Sequence, residues 1–425
     1  MPQKKLNILH VNKFHYMFGG AEAVYFNTAN LMESHGHKSL FFAMHHPQNR
    51  QCETSRYFVS HVDVRKPMGL LSQARTAARL LYSFEAKKHI SDLLDEFPAD
   101  IAHLHNIYHE ISPSILHELR RRKVPIVMTL HDYKLVCASR LLMVDRKACK
   151  ACHGGRYFHA AMARCIWSPE KSMAKNVLGT LEMYLHHGVM DIYDAVNVFI
   201  APSLFLKNEI ERMGFKKDLV YLPHFIDADI IENGLDGEVT PEESIVYFGR
   251  LSGEKGLLTL FEAAKRIGPG VKVKIIGDGD MRKLLEETAR REGISNVIFL
   301  GYLKGAALYR EIKKSLFAVL PSEAYENLPV SILEAFALGK PVIGPKTGGI
   351  PELIKDNETG LTFERGNAED LGQKITILLE NLPLLTRLGT NAKRLVKTEL
   401  GPERHYMRLM GIYENAVCRT GMDAA

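Results

Sequence analysis

The sequence predicts an α/β protein with two parallel sheets, and three observations support this class. Short apolar or β-branched runs alternate with amphipathic helical stretches throughout the chain. Most of these runs are continuous rather than alternating in polarity, as parallel strands buried on both faces require. With 425 residues, the chain fits two or three domains better than one. We therefore expect two sheets, each with helices on both faces.

The first half of the chain carries strand candidates with helices between them. Amphipathic helices are predicted at residues 22–36, 87–96 and 113–122. The predicted strands, in chain order, cover residues 6–11, 39–43, 101–105, 126–130 and 198–201. This alternation predicts an N-terminal domain over residues 1–225.

The second half repeats the same alternation. Its predicted strands cover residues 245–249, 272–276, 297–300, 317–320, 341–344 and 361–363. Its predicted helices cover residues 257–267, 281–293, 330–338, 368–381 and 402–417.

The polar segment 224–244 is the best candidate for a domain boundary, because few of its side chains could join an interdomain core. A C-terminal domain is therefore predicted over residues 226–400, followed by a helix within residues 401–425. The pattern leaves open which domain this last helix covers, and a crossing to the first domain is one of the two outcomes.

The composition excludes several classes of protein. The chain is 46% hydrophobic and 24% charged, which argues against intrinsic disorder and against a fibrous repeat. It has no apolar stretch of roughly 18 residues for a spanning helix and no apolar signal-peptide core near its start. Six cysteines are too few for a disulfide scaffold, so the reducing cytoplasm is the expected compartment.

Charge is unevenly distributed along the chain. Residues 1–225 contain 29 Lys and Arg against 20 Asp and Glu, whereas residues 226–425 contain 26 against 29. A basic first half favours an anionic partner such as a phosphate-bearing substrate, an acidic membrane surface or nucleic acid. Chance variation of the surface is the alternative.

Residues that follow each predicted strand are candidate site residues, because ligands bind beyond the carboxyl ends of the strands in open α/β sheets. Gly19 and Gly20 precede the helix at 22–36, where glycine admits a ligand close to the backbone and free N–H groups attract an anion. His131 follows a strand and could share a hydrogen bond with a sugar hydroxyl or a phosphate. A tight turn and a polar loop are the alternative interpretations.

Two cations flank one loop after the strand at 245–249. Arg250 begins this glycine-containing loop and Lys255 lies near its end. Such a pair can hold a diphosphate and stabilise its charge as a leaving group. Two solvated surface cations are the alternative, and the strand-end position with its glycines favours binding.

The most informative segment is a polar turn between a strand and the helix at 330–338. Glu326 lies before this helix, and Glu334 lies inside it among apolar neighbours, where a carboxylate is costly to bury without hydrogen-bond partners. A pair of sugar hydroxyls would be such partners. The N–H groups near Asn327 and Leu328 would meet a phosphate, so sugar-binding and anion-binding groups converge on one strand end.

Seven short motifs extend over almost the whole chain. They are GGAE at 19–22, HD at 131–132, APS at 201–203, PHFID at 223–227, GRLSGEKG at 249–256, Glu-x7-Glu at 326–334 and GGIPELI at 348–354. Together they resemble the motifs of retaining glycosyltransferases of family 4. The resemblance implies the GT-B fold, in which two Rossmann-like domains face a central cleft.

The resemblance also implies roles for the residues of the second half. Arg250 and Lys255 would hold the donor diphosphate. Glu334 would bind the nucleotide ribose, and Glu326 would face the transferred sugar. In the first half, His131 would approach the sugar across the cleft.

Gly19 and Gly20 would line the donor side of that cleft. The family transfers a sugar from a nucleotide diphosphate with retention at the anomeric carbon, usually without a catalytic metal, so no catalytic metal is expected. Relatives have Asn-Gly where this chain has His224 and Phe225, a departure that touches no catalytic position.

The expected partners are a nucleotide-diphosphate-sugar donor and a lipid-linked or polysaccharide acceptor in cell-surface glycan biosynthesis. A sugar-nucleotide epimerase or phosphorylase of the same fold is the first alternative. A zinc-containing nucleic-acid-binding protein is a more distant one, and it leaves Glu326 and Glu334 unexplained. Nucleic acid is therefore not expected as a partner.

Four cysteines lie close together in an insertion at 137–165. The spacing of Cys137, Cys149, Cys152 and Cys165 suits a tetrahedral zinc site with four thiolates and no open position, which would be structural. Free thiols, a disulfide, an iron–sulfur cluster, or His153 or His159 in place of one cysteine are the alternatives.

Residues 65–88 combine six Lys or Arg with leucine and phenylalanine side chains. A basic amphipathic helix of this kind can lie on an anionic membrane. An ordinary surface helix packed on the sheet is the alternative. The expected location is thus the cytoplasm, with peripheral binding to the inner face of the membrane left open.

Overall fold

The structure is a computed structural model that describes residues 4–61, 70–109, 111–145, 147–166, 172–235 and 237–422. The chain divides into two compact units. Unit 1 consists of Met1–Leu222 and Tyr406–Ala425, and unit 2 consists of Pro223–His405. The chain thus leaves unit 1, forms unit 2 and returns.

Unit 1 is built on a six-stranded parallel sheet with the strand order β2-β1-β3-β4-β7-β8. A separate antiparallel hairpin consists of β5 and β6. The strands are β1 (Asn7–Val11), β2 (Lys38–Phe42), β3 (Ile101–Leu104), β4 (Ile126–Thr129), β5 (Met143–Val144), β6 (Lys147–Ala148), β7 (Val198–Ala201) and β8 (Leu219–Tyr221).

The helices of unit 1 lie between these strands. They are α1 (Gly20–Ser34), α2 (Leu70–Leu81), α3 (Phe84–Glu96), α4 (Ser114–Arg121), α5 (Phe158–Met162), α6 (Met173–Tyr184) and α7 (Leu204–Arg212). Every residue of β3, β4 and β7 is buried, which explains why these strands read as continuous apolar runs in the sequence.

Unit 2 has its own six-stranded parallel sheet, with the order β11-β10-β9-β12-β13-β14. Its strands are β9 (Ser244–Phe248), β10 (Lys272–Ile276), β11 (Val297–Gly301), β12 (Phe317–Val319), β13 (Val342–Pro345) and β14 (Gly360–Phe363). Its helices are α8 (Ala228–Asn233), α9 (Leu257–Ala264), α10 (Arg282–Arg291), α11 (Gly305–Lys314), α12 (Val330–Ala337), α13 (Ile350–Leu353), α14 (Ala368–Glu380) and α15 (Leu382–Thr398).

The two parallel-sheet domains confirm the predicted fold class. All eleven predicted strands are present, each within one residue of its predicted bounds. Strand β8 and the hairpin of β5 and β6 were not predicted, because runs of two or three residues give no pattern. The predicted boundary segment also contains α8, whose Ile231 is buried in the core of unit 2.

Helix α16 (Pro402–Met422) is the last of the described helices and crosses the division between the units. From Tyr406 onward it packs on unit 1. The Tyr413 hydroxyl lies 2.8 Å from Nδ1 of His103 on β3, and both side chains are buried. The last helix therefore completes the first unit, an outcome that the sequence pattern left open.

The segment predicted as one basic amphipathic helix at 65–88 is not a single helix. Residues 65–69 lie outside the described part of the chain, and the rest is divided between α2 and α3. The division is at Ser83, a buried residue whose hydroxyl accepts a hydrogen bond from Ala86 N at 3.1 Å and caps α3. None of the described helices is both long and apolar enough to cross a bilayer.

Each sheet has one point where the strand order reverses. In unit 1 this point lies between β1 and β3, and in unit 2 it lies between β9 and β12. Ligands bind open α/β sheets beyond the carboxyl ends of the strands at such points. The loops after β9 and β12 in one unit, and after β1 and β3 in the other, are therefore the places to look for a site.

Candidate functional site

The loops after β9 and β12 bring a predicted cation and a predicted carboxylate into contact. Lys255 Nζ donates to Glu326 Oε1 at 2.6 Å, and the Ser322 hydroxyl donates to the same oxygen at 2.6 Å. The side chain of Lys255 is 20% exposed and that of Glu326 is 15% exposed. The pair is thus sheltered at the reversal point but still accessible to a ligand.

Gly256 explains how the two loops come so close. Its φ of +67° is in the left-handed region, and a Cβ at this position would lie 2.0 Å from the carbonyl oxygen of Pro321. Only glycine fits there. The carbonyl of Glu254 accepts a hydrogen bond from Glu323 N at 2.8 Å and fixes the approach. Backbone contacts therefore position the Lys255–Glu326 pair.

Electrostatics keeps Glu326 ionised. Burial disfavours the charge, but Lys255, Ser322 and Arg250 outweigh this effect and lower the pKa of Glu326 below its usual value. A carboxylate in this state accepts hydrogen bonds from hydroxyl groups, as a sugar site requires.

Arg250 lies beside this pair with a mostly exposed side chain, 4.0 Å from Glu254. The Tyr247 hydroxyl donates to the Arg250 carbonyl at 2.7 Å and holds the backbone of the loop. The guanidinium itself is therefore available to an incoming anion such as a diphosphate.

A second glycine turn, after β10, supports the loop that carries Arg250. A Cβ on Gly277 would lie 1.9 Å from the carbonyl oxygen of Gly249, and one on Gly279 would lie 2.2 Å from that of Leu251. These glycines allow two loops to pack backbone against backbone.

Glu334 lies on α12 and is partly buried, and the Tyr309 hydroxyl donates a long, weak hydrogen bond to it at 3.5 Å. Burial raises the pKa of Glu334 to about 7. A buried carboxylate whose donor is this distant suits a ligand with hydroxyl groups.

The predicted phosphate-binding backbone lies between these two carboxylates in the sequence. Asn327 is partly exposed, whereas the Leu328 side chain is buried in the core of unit 2. Leu328 can therefore reach a ligand only through its backbone. Pro329 is the N-cap residue of α12.

The loop after β13 also contacts Glu326, which the sequence did not reveal. Gly348 has a φ of +63°, and a Cβ there would lie 2.4 Å from the Glu326 carbonyl oxygen. The N–H of Gly349 donates to the same oxygen at 2.8 Å. The GGIPELI motif was the available signal, but it does not show which residue its glycines contact.

In unit 1, Gly19 and Gly20 lie at the start of α1, as predicted. Gly19 is the N-cap residue, with extended backbone. The next acidic residue, Glu22, is buried and accepts a hydrogen bond from the Asn12 amide at 3.2 Å. Burial raises the pKa of Glu22, since the bond to Asn12 only partly offsets the loss of water.

His131 follows β4 and belongs to a row of stacked histidines. Its Nε2 lies 2.9 Å from Nδ1 of His105, and the His105 ring stacks on that of His103. Burial lowers the pKa of His131 to about 4, so the ring is neutral near pH 7. Within the described residues, the nitrogens of His10, His103 and His105 also lie within 4.8 Å of one another.

A buried ion pair anchors the loop after His131 and was not predicted from the sequence. Lys134 Nζ donates to Glu182 on α6 at 2.7 Å, and both side chains are buried. His109 Nδ1 lies 3.3 Å from the other oxygen of Glu182. Burial opposes ionisation of Glu182, but His109 and Lys134 lower its pKa below the usual range. Residues so far apart in the sequence give no local pattern.

Two groups of predicted site residues therefore lie together, one in each unit, and His131, Gly19 and Gly20 belong to neither. In unit 2, Arg250, Lys255 and Glu326 come together, with Glu334 on the adjoining helix. In unit 1, the four predicted cysteine ligands line one small cavity, whose other walls include His159 and Met213.

The chain matches two known family descriptions. Residues 18–230 match the family described as Glycosyltransferase Family 4, and residues 236–395 match Glycosyl transferases group 1. The first match alone covers half of the chain.

Two relatives with curated names are also glycosyltransferases. An uncharacterized glycosyltransferase of Methanocaldococcus jannaschii is 32% identical over 219 residues, which cover 51% of this chain and 58% of that protein. The lipopolysaccharide core biosynthesis glycosyltransferase LpsE of Rhizobium meliloti is 28% identical over 195 residues, which cover 43% of this chain and 54% of that protein. The matches span little more than half the length of these relatives.

The fold has solved counterparts as well. The structure of Anabaena HepE in complex with UDP and glucose has a TM-score of 0.67 at 18% identity, over 96% of this chain and 99% of that one. These findings confirm the family and the fold that the motifs predicted. The chain belongs to Glycosyltransferase Family 4 and has the GT-B fold of a glycosyltransferase.

Proposed function

We propose that this glycosyltransferase moves a hexose from a nucleotide-diphosphate-sugar to a lipid-linked or growing polysaccharide acceptor, with retention at the anomeric carbon. The contact of Lys255 with Glu326 at the reversal point of the unit 2 sheet, with Arg250 beside it, carries this proposal. It combines cations for a diphosphate with a carboxylate for a sugar.

The cations would act on the leaving group. As the bond between the anomeric carbon and the donor diphosphate breaks, negative charge grows on the diphosphate, and Lys255 and Arg250 would stabilise it. The diphosphate would replace Glu326 as the partner of Lys255. Glu326 would then be free to accept hydrogen bonds from the transferred sugar. We assign no side chain as a covalent nucleophile.

The other predicted residues would bind the rest of the donor. Glu334 would accept hydrogen bonds from the ribose hydroxyls, and the backbone near Asn327 and Leu328 would meet the phosphates. The neutral ring of His131 would contact the transferred sugar, and Gly19 and Gly20 would line the donor side. Because the HepE structure contains UDP and glucose, uridine diphosphate sugars are the first donors to test.

The acceptor class is supported by a relative that acts in lipopolysaccharide core biosynthesis. We also propose that unit 1 contacts an anionic membrane surface, as suits a lipid-linked acceptor. Support comes from the basic first half and from apolar side chains exposed by 72% at Met162 and 76% at Val189. Binding to anionic vesicles at low salt is expected, and no binding to them would contradict this part of the proposal.

A donor panel tests the central claim. The protein is incubated with UDP-, GDP- and ADP-sugars, and release of the nucleotide diphosphate is measured with and without glycan acceptors. One donor class should be turned over. Conversion of the donor to an epimer, or release of sugar 1-phosphate, would instead indicate one of the alternative enzyme classes.

Lys255→Ala tests the site itself, with Lys265→Ala as its matched control. Lys265 is a surface lysine near the end of α9 that pairs with Glu262 and Glu292. Loss of one charge-assisted contact to the leaving group should lower kcat by about 100-fold or more in Lys255→Ala only. Equal activity of the two variants would contradict the assigned site.

A further inference from the structure

The cysteine-rich insertion of unit 1 encloses a small cavity. Its walls include all four predicted metal ligands, and its volume is about 10 Å³, close to the size of one water molecule. Two of these cysteines, Cys137 and Cys152, are buried, and the other two are partly exposed. The chain thus directs four thiols toward a space for a single small ion.

The remaining walls of this cavity are mainly apolar. They include Leu142, Ala160 and Met213. All four cysteines thus face one mainly apolar space. Several thiolates could share this space only with a cation among them.

The backbone of the insertion has unusual conformations. Among the described residues, nine other than glycine have positive φ, and four of them are Arg140, Leu142, Asp145 and Arg164. Such conformations cost free energy and persist only where the surroundings impose them. In the described part of the insertion, regular structure is limited to the hairpin of β5 and β6, a 3-10 turn at His153–Gly155 and the short helix α5. Hydrogen-bonded elements alone therefore do not account for its shape.

The insertion is fixed to the rest of unit 1 at α7. The N–H of Gly154 donates to the Met213 carbonyl at 2.9 Å, and Lys150 pairs with Glu209 at 2.8 Å. A group bound among the cysteines would thus be held against α7.

We propose that Cys137, Cys149, Cys152 and Cys165 bind one structural zinc ion as four thiolates. Each thiol releases its proton when its sulfur binds the metal, and the four thiolates and one Zn²⁺ carry a net charge of −2. The insertion contains six Lys or Arg and only one acidic residue, Asp145, and this excess of positive charge more than offsets the negative charge of the site. Four protein ligands leave no open position, so the ion takes no part in sugar transfer.

Binding would draw the sulfur atoms together. The structure does not place three of them within 4.8 Å of one another, whereas a zinc ion with Zn–S distances of about 2.3 Å holds its ligands closer than that. Of the two histidines considered as substitutes for a cysteine, His159 lines the cavity and His153 is exposed. His159 is therefore the competing fourth ligand.

Metal analysis of the full-length protein tests the proposal directly. The protein is produced with zinc in the medium and purified without chelators, and its metal content is measured by mass spectrometry. We expect one zinc ion per chain, released when a mercurial blocks the thiols. Absence of stoichiometric zinc, or iron with visible absorption, would overturn the proposal, as would a disulfide between any two of the four.

Two kinds of variant locate the metal. Cys149→Ser should lose the zinc, whereas Cys52→Ser and Cys418→Ser should keep it, because both control cysteines lie outside the insertion. Retention of zinc in Cys149→Ser would overturn the assignment.

Cobalt substitution reports the ligand set of the wild-type chain, so the result does not depend on whether a cysteine variant folds. Co²⁺ in the wild-type chain should give the intense visible bands of a tetrahedral site and a strong sulfur-to-cobalt charge-transfer band. The spectrum of His159→Ala should be the same. A changed spectrum in this variant would indicate that His159 binds the metal in place of one thiolate. That result would overturn the four-thiolate assignment.

Discussion

Glu334 has an environment that suits a bound ligand but disfavours its ionised form when no ligand is bound. Burial raises its pKa to about 7, and the Tyr309 hydroxyl is a distant partner at 3.5 Å. At neutral pH the side chain is therefore divided between its protonated and ionised forms. The proposed ribose hydroxyls would donate to the ionised form and lower its pKa.

This pKa predicts that UDP binds more weakly in acid. Above pH 7 the carboxylate is already ionised, whereas below pH 7 it must lose a proton before it binds. Between pH 8 and pH 6 the dissociation constant should rise about tenfold from this effect. Titration calorimetry at both values checks the prediction.

Glu334→Gln provides the comparison, because the phosphates of UDP titrate equally in both proteins. The variant should bind UDP more weakly at pH 8 and should show a smaller pH dependence. Identical pH dependence in the wild type and the variant would remove Glu334 from the nucleotide site.

At the scale of structural elements, close backbone contacts between loops hold the unit 2 site. Gly256 admits the Pro321 carbonyl and Gly348 admits that of Glu326. The strand ends could be located from the sequence, because a buried parallel strand leaves a continuous apolar run. The contact of Gly348 with Glu326 could not, since it joins two loops whose approach depends on the packing of β12 beside β13.

Gly348→Ala is expected to displace Glu326 and to reduce transfer activity by about tenfold or more, as small errors in catalytic geometry do. The new methyl group would lie 2.4 Å from the Glu326 carbonyl oxygen, at a φ of +63° that alanine rarely adopts. Gly270→Ala is the control, because it has open space around it. Kinetic assays of both variants measure the change in transfer activity, and circular dichroism checks that both variants are folded. Normal activity of Gly348→Ala would refute the positioning role.

The contact of α16 with β3 gives a second prediction at this scale. In Tyr413→Phe the buried Nδ1 of His103 loses its hydroxyl partner, which should lower the free energy of unfolding of unit 1 by about 1–3 kcal/mol. Tyr302→Phe is the matched control, since Tyr302 is 56% exposed. The difference in unfolding free energy is measured by unfolding each variant in urea and monitoring hydrogen exchange in peptides of unit 1. Equal stability of the two variants would show that the contact contributes little.

For the whole molecule, the most uneven property is the distribution of histidine. Of 19 histidines, only His224 and His405 lie in unit 2. Burial lowers the pKa of several others, to about 3 for His10 and His187 and to about 4 for His15 and His131. Composition revealed the number of histidines, but only the packed structure shows which of them must stay neutral.

Acid should therefore unfold unit 1 before unit 2. A histidine whose pKa is lowered by folding binds its proton more readily in the unfolded chain. Its contribution to stability is complete above about pH 6.5 and is lost as the pH falls toward 4, at up to about 1.4 kcal/mol per pH unit for each buried ring. Hydrogen exchange at pH 7, 5.5 and 4.5 should show loss of protection in unit 1 first. Simultaneous loss in both units would contradict this order.

The return of the chain to unit 1 has a consequence for biosynthesis. A ribosome releases the sheet of unit 1 first, then all of unit 2, and only then the residues from Tyr406 onward. Unit 2 can thus finish folding during translation, while the older sheet still lacks Tyr413 beside His103. A segment made after unit 2 thus completes the domain that was begun before it.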